Sequence, residues 1–96
     1  MHILISYDVS TETAAGRKRL RKVAQACQNF GQRVQKSVFE CSVTEAQFEE
    51  VVRRLVDIIE KTEDNLRVYR ITEPKEKHVL VYGLDSSVNF DEPLVL

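Results

Sequence analysis

The spacing of apolar residues changes repeatedly along this chain, and the order of the changes restricts the fold more than any other feature. His2 to Asp8 alternates with a period of two, which places Ile3, Ile5 and Tyr7 on one face of a predicted strand. From about Thr13 to Phe30 the apolar residues follow a helical period, and Gly31 is predicted to end that helix. The chain must therefore pack a helix against a sheet.

The next segments repeat the change of period. Arg33 to Gln35 and Val38 to Val43 predict two short strands joined around Lys36 and Ser37. Thr44 to Gln47 matches a capping box that opens a second helix. The apolar stripe of that helix consists of Phe48, Val51, Val52, Leu55, Ile58 and Ile59. Leu66 to Ile71 and His78 to Tyr82 predict two further strands.

The order β-α-β-β-α-β, followed by one added strand, predicts an α+β fold of the ferredoxin-like sandwich type. Leu4 makes the outer face of the first strand partly apolar, and the strand at Leu66 is apolar on both faces. A homodimer packed through these sheet faces would cover them. The 96 residues suit one domain. We expect residues 1–83 to form it and the tail, residues 84–96, to pack on the partner subunit.

Charge is distributed unevenly along the chain. The net charge is −1, but residues 1–39 carry seven Lys or Arg and two Asp or Glu, which gives +5. Residues 40–96 carry seven Lys or Arg and thirteen Asp or Glu, which gives −6. A basic patch on a nearly neutral protein is compatible with a nucleic-acid partner.

The positive charge is concentrated in the basic cluster, residues 17–22, at the start of the first helix. Cations at a helix start oppose the helix macrodipole, so this placement favours phosphate binding over a simple solvated face. Arg33, Lys36 and Ser37 could extend the phosphate track. Phe39 is open to stacking on a base or to packing in the core, and the core is the better interpretation for Phe39 alone.

Asp8 is the strongest candidate for chemistry, and two interpretations of it stay open. As a structural residue it would accept hydrogen bonds from the loop Val9-Ser10-Thr11. As a metal ligand it needs a second carboxylate, which a two-fold axis near the strand end would supply from the other subunit. Mg²⁺ commonly uses one or two carboxylates and fills its remaining positions with water and phosphate oxygens.

Cys27 and Cys41 lack the paired spacing of zinc or redox motifs, so we expect two buried thiols in a reducing compartment. The apolar start is interrupted by Ser6 and Asp8, which argues against a signal peptide or membrane span. A cytoplasmic protein without a membrane partner is expected.

Three segments together resemble the Cas-two family of CRISPR-associated proteins. They are the strand end Tyr7-Asp8-Val9, the stretch Gly16 to Val23, and the stretch Arg33 to Cys41 with the pattern R-V-Q-x-S-V-F. The resemblance extends over nearly the whole chain. It implies a homodimer of ferredoxin-like subunits in CRISPR adaptation that joins a larger integrase partner and holds protospacer DNA.

The resemblance also implies a metal-dependent endonuclease acting on RNA or double-stranded DNA. Asp8 and Tyr7 would be catalytic, and Asp8 would share one Mg²⁺ with Asp8 of the other subunit. The residues expected to line or support the nucleic-acid site are Arg17, Lys18, Arg19, Lys22, Arg33, Ser37 and Phe39. Two alternatives remain: a non-catalytic DNA-binding scaffold for the CRISPR integrase, and a toxin-like RNase of the same fold.

Overall fold

The helices and strands of the described residues follow one another in the order that the apolar spacing predicts. The computed structural model describes residues 1–72 and 80–83. The elements are β1 (His2–Asp8), α1 (Ala14–Gln28), β2 (Gly31–Gln35), β3 (Val38–Ser42), α2 (Glu45–Ile58) and β4 (Asn65–Ile71). The predicted ferredoxin-like βαββαβ order is confirmed.

The four strands form one antiparallel sheet in the order β2-β3-β1-β4. β1 is therefore a central strand, with Ile5 opposite Phe39 of β3 on one side and opposite Val68 of β4 on the other. Asp8, the last residue of β1, lies opposite Asn65, the first residue of β4. The register thus brings the end of β1 beside the chain that enters β4.

The core lies between the helices and one face of this sheet. Ile3, Ile5 and Tyr7 are buried there, as their alternation predicts. They share one apolar cluster with Val23 and Cys27 of α1. From α2, the stripe contributes two fully buried residues, Val51 and Leu55, while its other members are partly buried against the same cluster.

The outer face of the sheet is less polar than a fully solvated face. Leu4 and Ile71 on this face are half-buried, and the Tyr69 side chain is 47% exposed. This mixture agrees with the expectation that a second subunit covers the face, which stays a prediction.

Side-chain caps begin both helices. Thr13 accepts a hydrogen bond from the Gly16 amide at 3.0 Å and caps α1. The predicted capping box of α2 is confirmed, because the Gln47 amide donates to Thr44 Oγ1 (3.1 Å) while the Thr44 amide donates to Gln47 Oε1 (2.9 Å).

The prediction that Gly31 ends the first helix is wrong. α1 ends at Gln28 with Asn29 as its cap, and Gly31 begins β2 without a positive φ. Its lack of a side chain serves a close approach to β3 instead. A Cβ there would overlap the Glu40 carbonyl oxygen and lie 2.5 Å from Cys41 Sγ.

The predicted strand at His78 to Tyr82 falls only partly on described residues. His78 and Val79 lie outside them, as does the tail, residues 84–96. Leu80, Val81 and Tyr82 belong to no strand and are 73%, 59% and 86% exposed. Residues 80–82 thus present three apolar side chains to solvent in the single chain.

The close approach at Gly31 predicts the cost of adding one methyl group. Gly31→Ala should lower the free energy of unfolding by about 1–3 kcal/mol, because backbone atoms of β3 have to move. Chemical denaturation measures the change. Gln32→Ala, at the next and exposed position of β2, should change stability by less than about 0.5 kcal/mol. Equal effects of the two substitutions would contradict the proposed contact.

Candidate functional site at the end of the first strand

Asp8 is an exposed carboxylate at the end of a central strand. Its side chain alternates away from Ile5 and Tyr7, so it lies on the side of the sheet opposite the helices. Within residues 1–72 and 80–83, no hydrogen bond or ion pair involves the Asp8 carboxylate. Its backbone is held by pairing with β4 while its oxygens stay available.

The loop after β1 obtains its hydrogen bond from a different carboxylate. The Ser10 amide donates to Asp64 Oδ1 at 3.0 Å. The structural interpretation of Asp8, in which it accepts from this loop, is therefore wrong. Asp64 takes that role, and metal binding by Asp8 stays a prediction.

Asp64 is the residue that sequence reasoning missed. Its side chain has 0% exposure and accepts from Arg19 Nε at 2.8 Å and from the Glu60 amide at 2.8 Å. Burial by itself disfavours the charged carboxylate, but the donors from Arg19, Glu60 and Ser10 outweigh it and lower the pKa of Asp64. The sequence signal was weak, because a polar turn after a helix does not reveal a partner 45 residues away.

Arg19 therefore differs from its neighbours in the basic cluster. Its guanidinium binds Asp64 and also Glu63 Oε2 at 2.9 Å, and its side chain is only 17% exposed. Arg17 is exposed and donates from Nη1 to the Thr11 carbonyl at 3.0 Å. Lys18 is exposed as well.

A cleft of about 410 Å³ runs beside the basic cluster between the two helices. Lys18 and Lys22 of α1 line it together with Arg54 and Asp57 of α2. Since Asp57 lies among these cations, the cleft is not uniformly positive. The outward lysines of α1 are the better candidates for phosphate contact.

Tyr7 holds a turn next to Asp8. Its hydroxyl donates to the Lys36 carbonyl at 3.4 Å, and its amide donates to the Ser37 carbonyl at 3.1 Å. Burial, with a smaller contribution from Cys27, raises the pKa of the Tyr7 hydroxyl. A hydroxyl that stays protonated at neutral pH is a poor base, and a catalytic role for Tyr7 stays a prediction.

Phe39 lies in the core, with 0% exposure and its ring centroid 6.2 Å from that of Tyr7. Arg33 is exposed on β2, and its guanidinium carbon lies 5.2 Å from the Phe39 ring centroid. The buried ring thus supports an outward arginine and has no face free for a base. Ser37, half-buried in the turn, lies at the same end of the sheet as Asp8.

The Asp8 carboxylate is a suitable ligand for a hard cation such as Mg²⁺. The described residues of a single chain do not complete a metal site around it. Among residues 1–72 and 80–83, no group of three or more His, Cys, Asp or Glu could hold a metal ion. One exposed carboxylate can contribute to a Mg²⁺ site whose other ligands are water, phosphate or a second carboxylate. The Asp8 carboxylate is suited to be that one protein ligand.

Comparison with known proteins decides the family. The model of the family described as CRISPR associated protein Cas2 matches residues 1–79. The chain belongs to the Cas2 family. The resemblance read from its residues is thereby confirmed.

Curated relatives of this Cas2-family chain match over its full length. "CRISPR-associated endoribonuclease Cas2 1" of Moorella thermoacetica is 62% identical over 100% of both chains. "CRISPR-associated endonuclease Cas2" of Halalkalibacterium halodurans is 45% identical over 99% of both. The crystal structure of Streptococcus pyogenes Cas2 is 51% identical, with a TM-score of 0.77 over 86% of this chain and 100% of that one.

Neither helix in the described part of this Cas2-family chain has the length and apolar character needed to cross a membrane.

The two cysteines of the chain are buried in the core and free of disulfides. Burial, followed by the neighbouring Cys41, raises the pKa of the Cys27 thiol to about 12. Burial, followed by Glu40, raises that of Cys41 to about 11. Neither thiol is suited to act as a nucleophile.

These thiols should be unreactive until the protein unfolds. At pH 8 a raised pKa leaves almost no thiolate, so Ellman's reagent should react slowly with native protein and rapidly with both cysteines in denaturant. The absorbance of the released thionitrobenzoate measures the difference. Fast reaction of one cysteine in the native state would contradict its buried position.

Proposed function

We propose that this Cas2-family protein is a metal-dependent endonuclease of CRISPR adaptation that cleaves RNA or double-stranded DNA. The exposed Asp8 carboxylate, which has no hydrogen-bond or ion-pair partner among residues 1–72 and 80–83 while Asp64 binds the loop, carries the proposal. Structural carboxylates are normally engaged by donors, as Asp64 is. The names of the relatives support nuclease activity.

The active unit we propose is a homodimer in which two Asp8 carboxylates share one Mg²⁺. The partly apolar outer face, with Leu4, Tyr69 and Ile71, supports a sheet-to-sheet contact on the side where Asp8 projects. Two carboxylates brought close together repel each other, which favours a bound cation between them. Mg²⁺ would supply Lewis-acid stabilisation of the scissile phosphate and a more acidic water.

The other candidate site residues bind the substrate or hold the residues that bind it. Lys18, Lys22 and Arg17 present positive charge to the phosphate backbone, and Arg33 extends it across β2. Tyr7 fixes the turn that carries Ser37 next to the strand end. Phe39 supports Arg33 from the core.

Asp8→Ala should abolish cleavage without unfolding the protein. Because Asp8 is exposed and has no side-chain partner in the described part of the chain, the free energy of unfolding should change by less than about 0.5 kcal/mol. Metal-titrated cleavage of RNA and of duplex DNA, with wild type and variant side by side, measures the effect.

Glu12→Gln is the matched control, since Glu12 is an exposed carboxylate in the next loop. It should cleave as the wild type does. If purified Asp8→Ala cuts as fast as the wild type, the assignment of Asp8 fails.

A second candidate is a non-catalytic scaffold that binds duplex DNA and a CRISPR integrase. The exposed apolar side chains of Leu80, Val81 and Tyr82 favour it, because such a segment is suited to docking on another protein. Here Asp8→Ala would leave spacer acquisition intact, whereas truncation after Gly83 would disrupt the partner complex.

The family match favours both CRISPR functions, nuclease and scaffold, over a toxin-like RNase. Free buried thiols support a cytoplasmic location.

The salt dependence of duplex binding should separate true phosphate contacts from structural ones. Lys18→Ala should reduce the slope of log K against log salt by about one, because one phosphate contact is lost. Fluorescence anisotropy with a labelled duplex over a range of salt concentrations measures the slope.

Arg19→Gln provides the contrast. Its guanidinium already binds Asp64 and Glu63, so the slope should stay unchanged while the free energy of unfolding falls. A loss of slope equal to that of Lys18→Ala, with stability unchanged, would show that Arg19 contacts phosphate instead.

A further inference from the structure

Asp64 joins three separate segments of the chain at the end of the sheet that carries Asp8. Its Oδ1 accepts from the Ser10 amide (3.0 Å), and its Oδ2 accepts from the Glu60 amide and from Arg19 Nε (both 2.8 Å). The loop after β1, the connection before β4 and helix α1 therefore meet on one carboxylate. With 0% exposure, this carboxylate is shielded from competing water.

Asp64 is connected to Asp8 in two ways, along the chain through Ser10 and across the sheet through Asn65. Ser10 follows Asp8 by two residues, and Asp64 immediately precedes Asn65, the residue paired with Asp8 across the sheet. A displacement of Asp64 would therefore reach Asp8 through its own chain and through its strand partner. Apart from the Asp64 side chain itself, both paths run through the backbone.

Each residue of the loop Val9-Ser10-Thr11 is held by packing or by a hydrogen bond. Val9 is 7% exposed, the Ser10 amide binds Asp64, and the Thr11 carbonyl accepts from Arg17 Nη1. A Cβ on Gly16 would overlap the Ser10 carbonyl oxygen, so α1 lies directly against the loop. The direction in which the chain leaves Asp8 is thus defined by packing and by hydrogen bonds together.

We infer that Asp64 is a positioning residue that orders the strand end so that the Asp8 carboxylate is presented in one geometry to a divalent cation. This inference rests on the proposed function, since the geometry matters only if Asp8 binds metal. Asp64 does not itself reach the outer face, and it acts through Ser10 and Asn65. A shift of about 1 Å at a reacting group can cost two orders of magnitude in rate.

Asp64→Asn tests the inference, because it keeps the shape of the side chain and removes the charge and one acceptor. Amide hydrogen exchange by NMR should become at least about tenfold faster at Ser10, as expected for local opening. Broadening of the Asp8 amide signal by Mn²⁺ alone should require roughly tenfold more Mn²⁺. The kcat for cleavage should fall by roughly tenfold to a hundredfold with little change in KM.

Glu63→Gln is the matched control, since Glu63 also binds Arg19 but makes no contact with Ser10. It should leave all three measurements unchanged. Unchanged exchange at Ser10 in Asp64→Asn would overturn the inference, as would faster exchange with unchanged Mn²⁺ response and kcat. If Asp64→Asn does not fold, Asp64→Glu, which keeps the charge but displaces the carboxylate by one methylene, is measured by the same criteria.

The test separates failure of the inference from failure of the proposed function. If Asp8→Ala still cleaves, the nuclease assignment of Asp8 is wrong whatever Asp64 does. If Asp8→Ala is inactive and Asp64→Asn keeps wild-type kcat and Mn²⁺ response, Asp8 is functional and the positioning role of Asp64 is wrong.

Discussion

The structure depends on the alternation of β1, a central strand that pairs on both sides. Ile3, Ile5 and Tyr7 face the helices, so Asp8 has to face outward. A shift of one residue would turn the apolar residues to solvent and drive the carboxylate toward the apolar core, at a large desolvation cost. The same hydrophobic pattern that builds the core therefore also fixes the side of the sheet on which Asp8 can act.

Two aspartates at one end of the sheet, Asp64 and Asp8, differ in burial and in hydrogen bonding. Asp64 is buried and surrounded by donors, so the penalty for removing its charge from water is offset by Arg19 and by two backbone amides. Asp8 is exposed and forms no such bonds in the described chain. Because the loop obtains its order from Asp64, the oxygens of Asp8 have no donor in the described chain, as the proposed metal site requires.

Much of the fold could be predicted from sequence because hydrophobic period and the Thr44 capping box are local signals. Gly31 was misinterpreted because a glycine after a helix suits a C-terminal cap, whereas its actual constraint is the approach of β3 at Cys41. The ion pair of Arg19 with Asp64 depends on tertiary packing between residues far apart in sequence. At the candidate site, Asp8 could be found from its strand, but its freedom from loop contacts could not, since no local pattern identifies Asp64 as the acceptor.

The position of Arg19 also changes the electrostatic argument for nucleic-acid binding. α1 begins at Ala14 and has no acidic residue in its first turn, but of the basic cluster only Arg17 lies in that turn, so the macrodipole has little effect on the other cations. The charge of Arg19 is balanced within the protein by the carboxylates of Asp64 and Glu63. For Lys18 and Lys22, which project from the same helix and line the cleft, the described chain shows no carboxylate at ion-pair distance. These lysines therefore carry the phosphate binding that we propose, and the proposed surface is narrower than the run of charges in the sequence indicates.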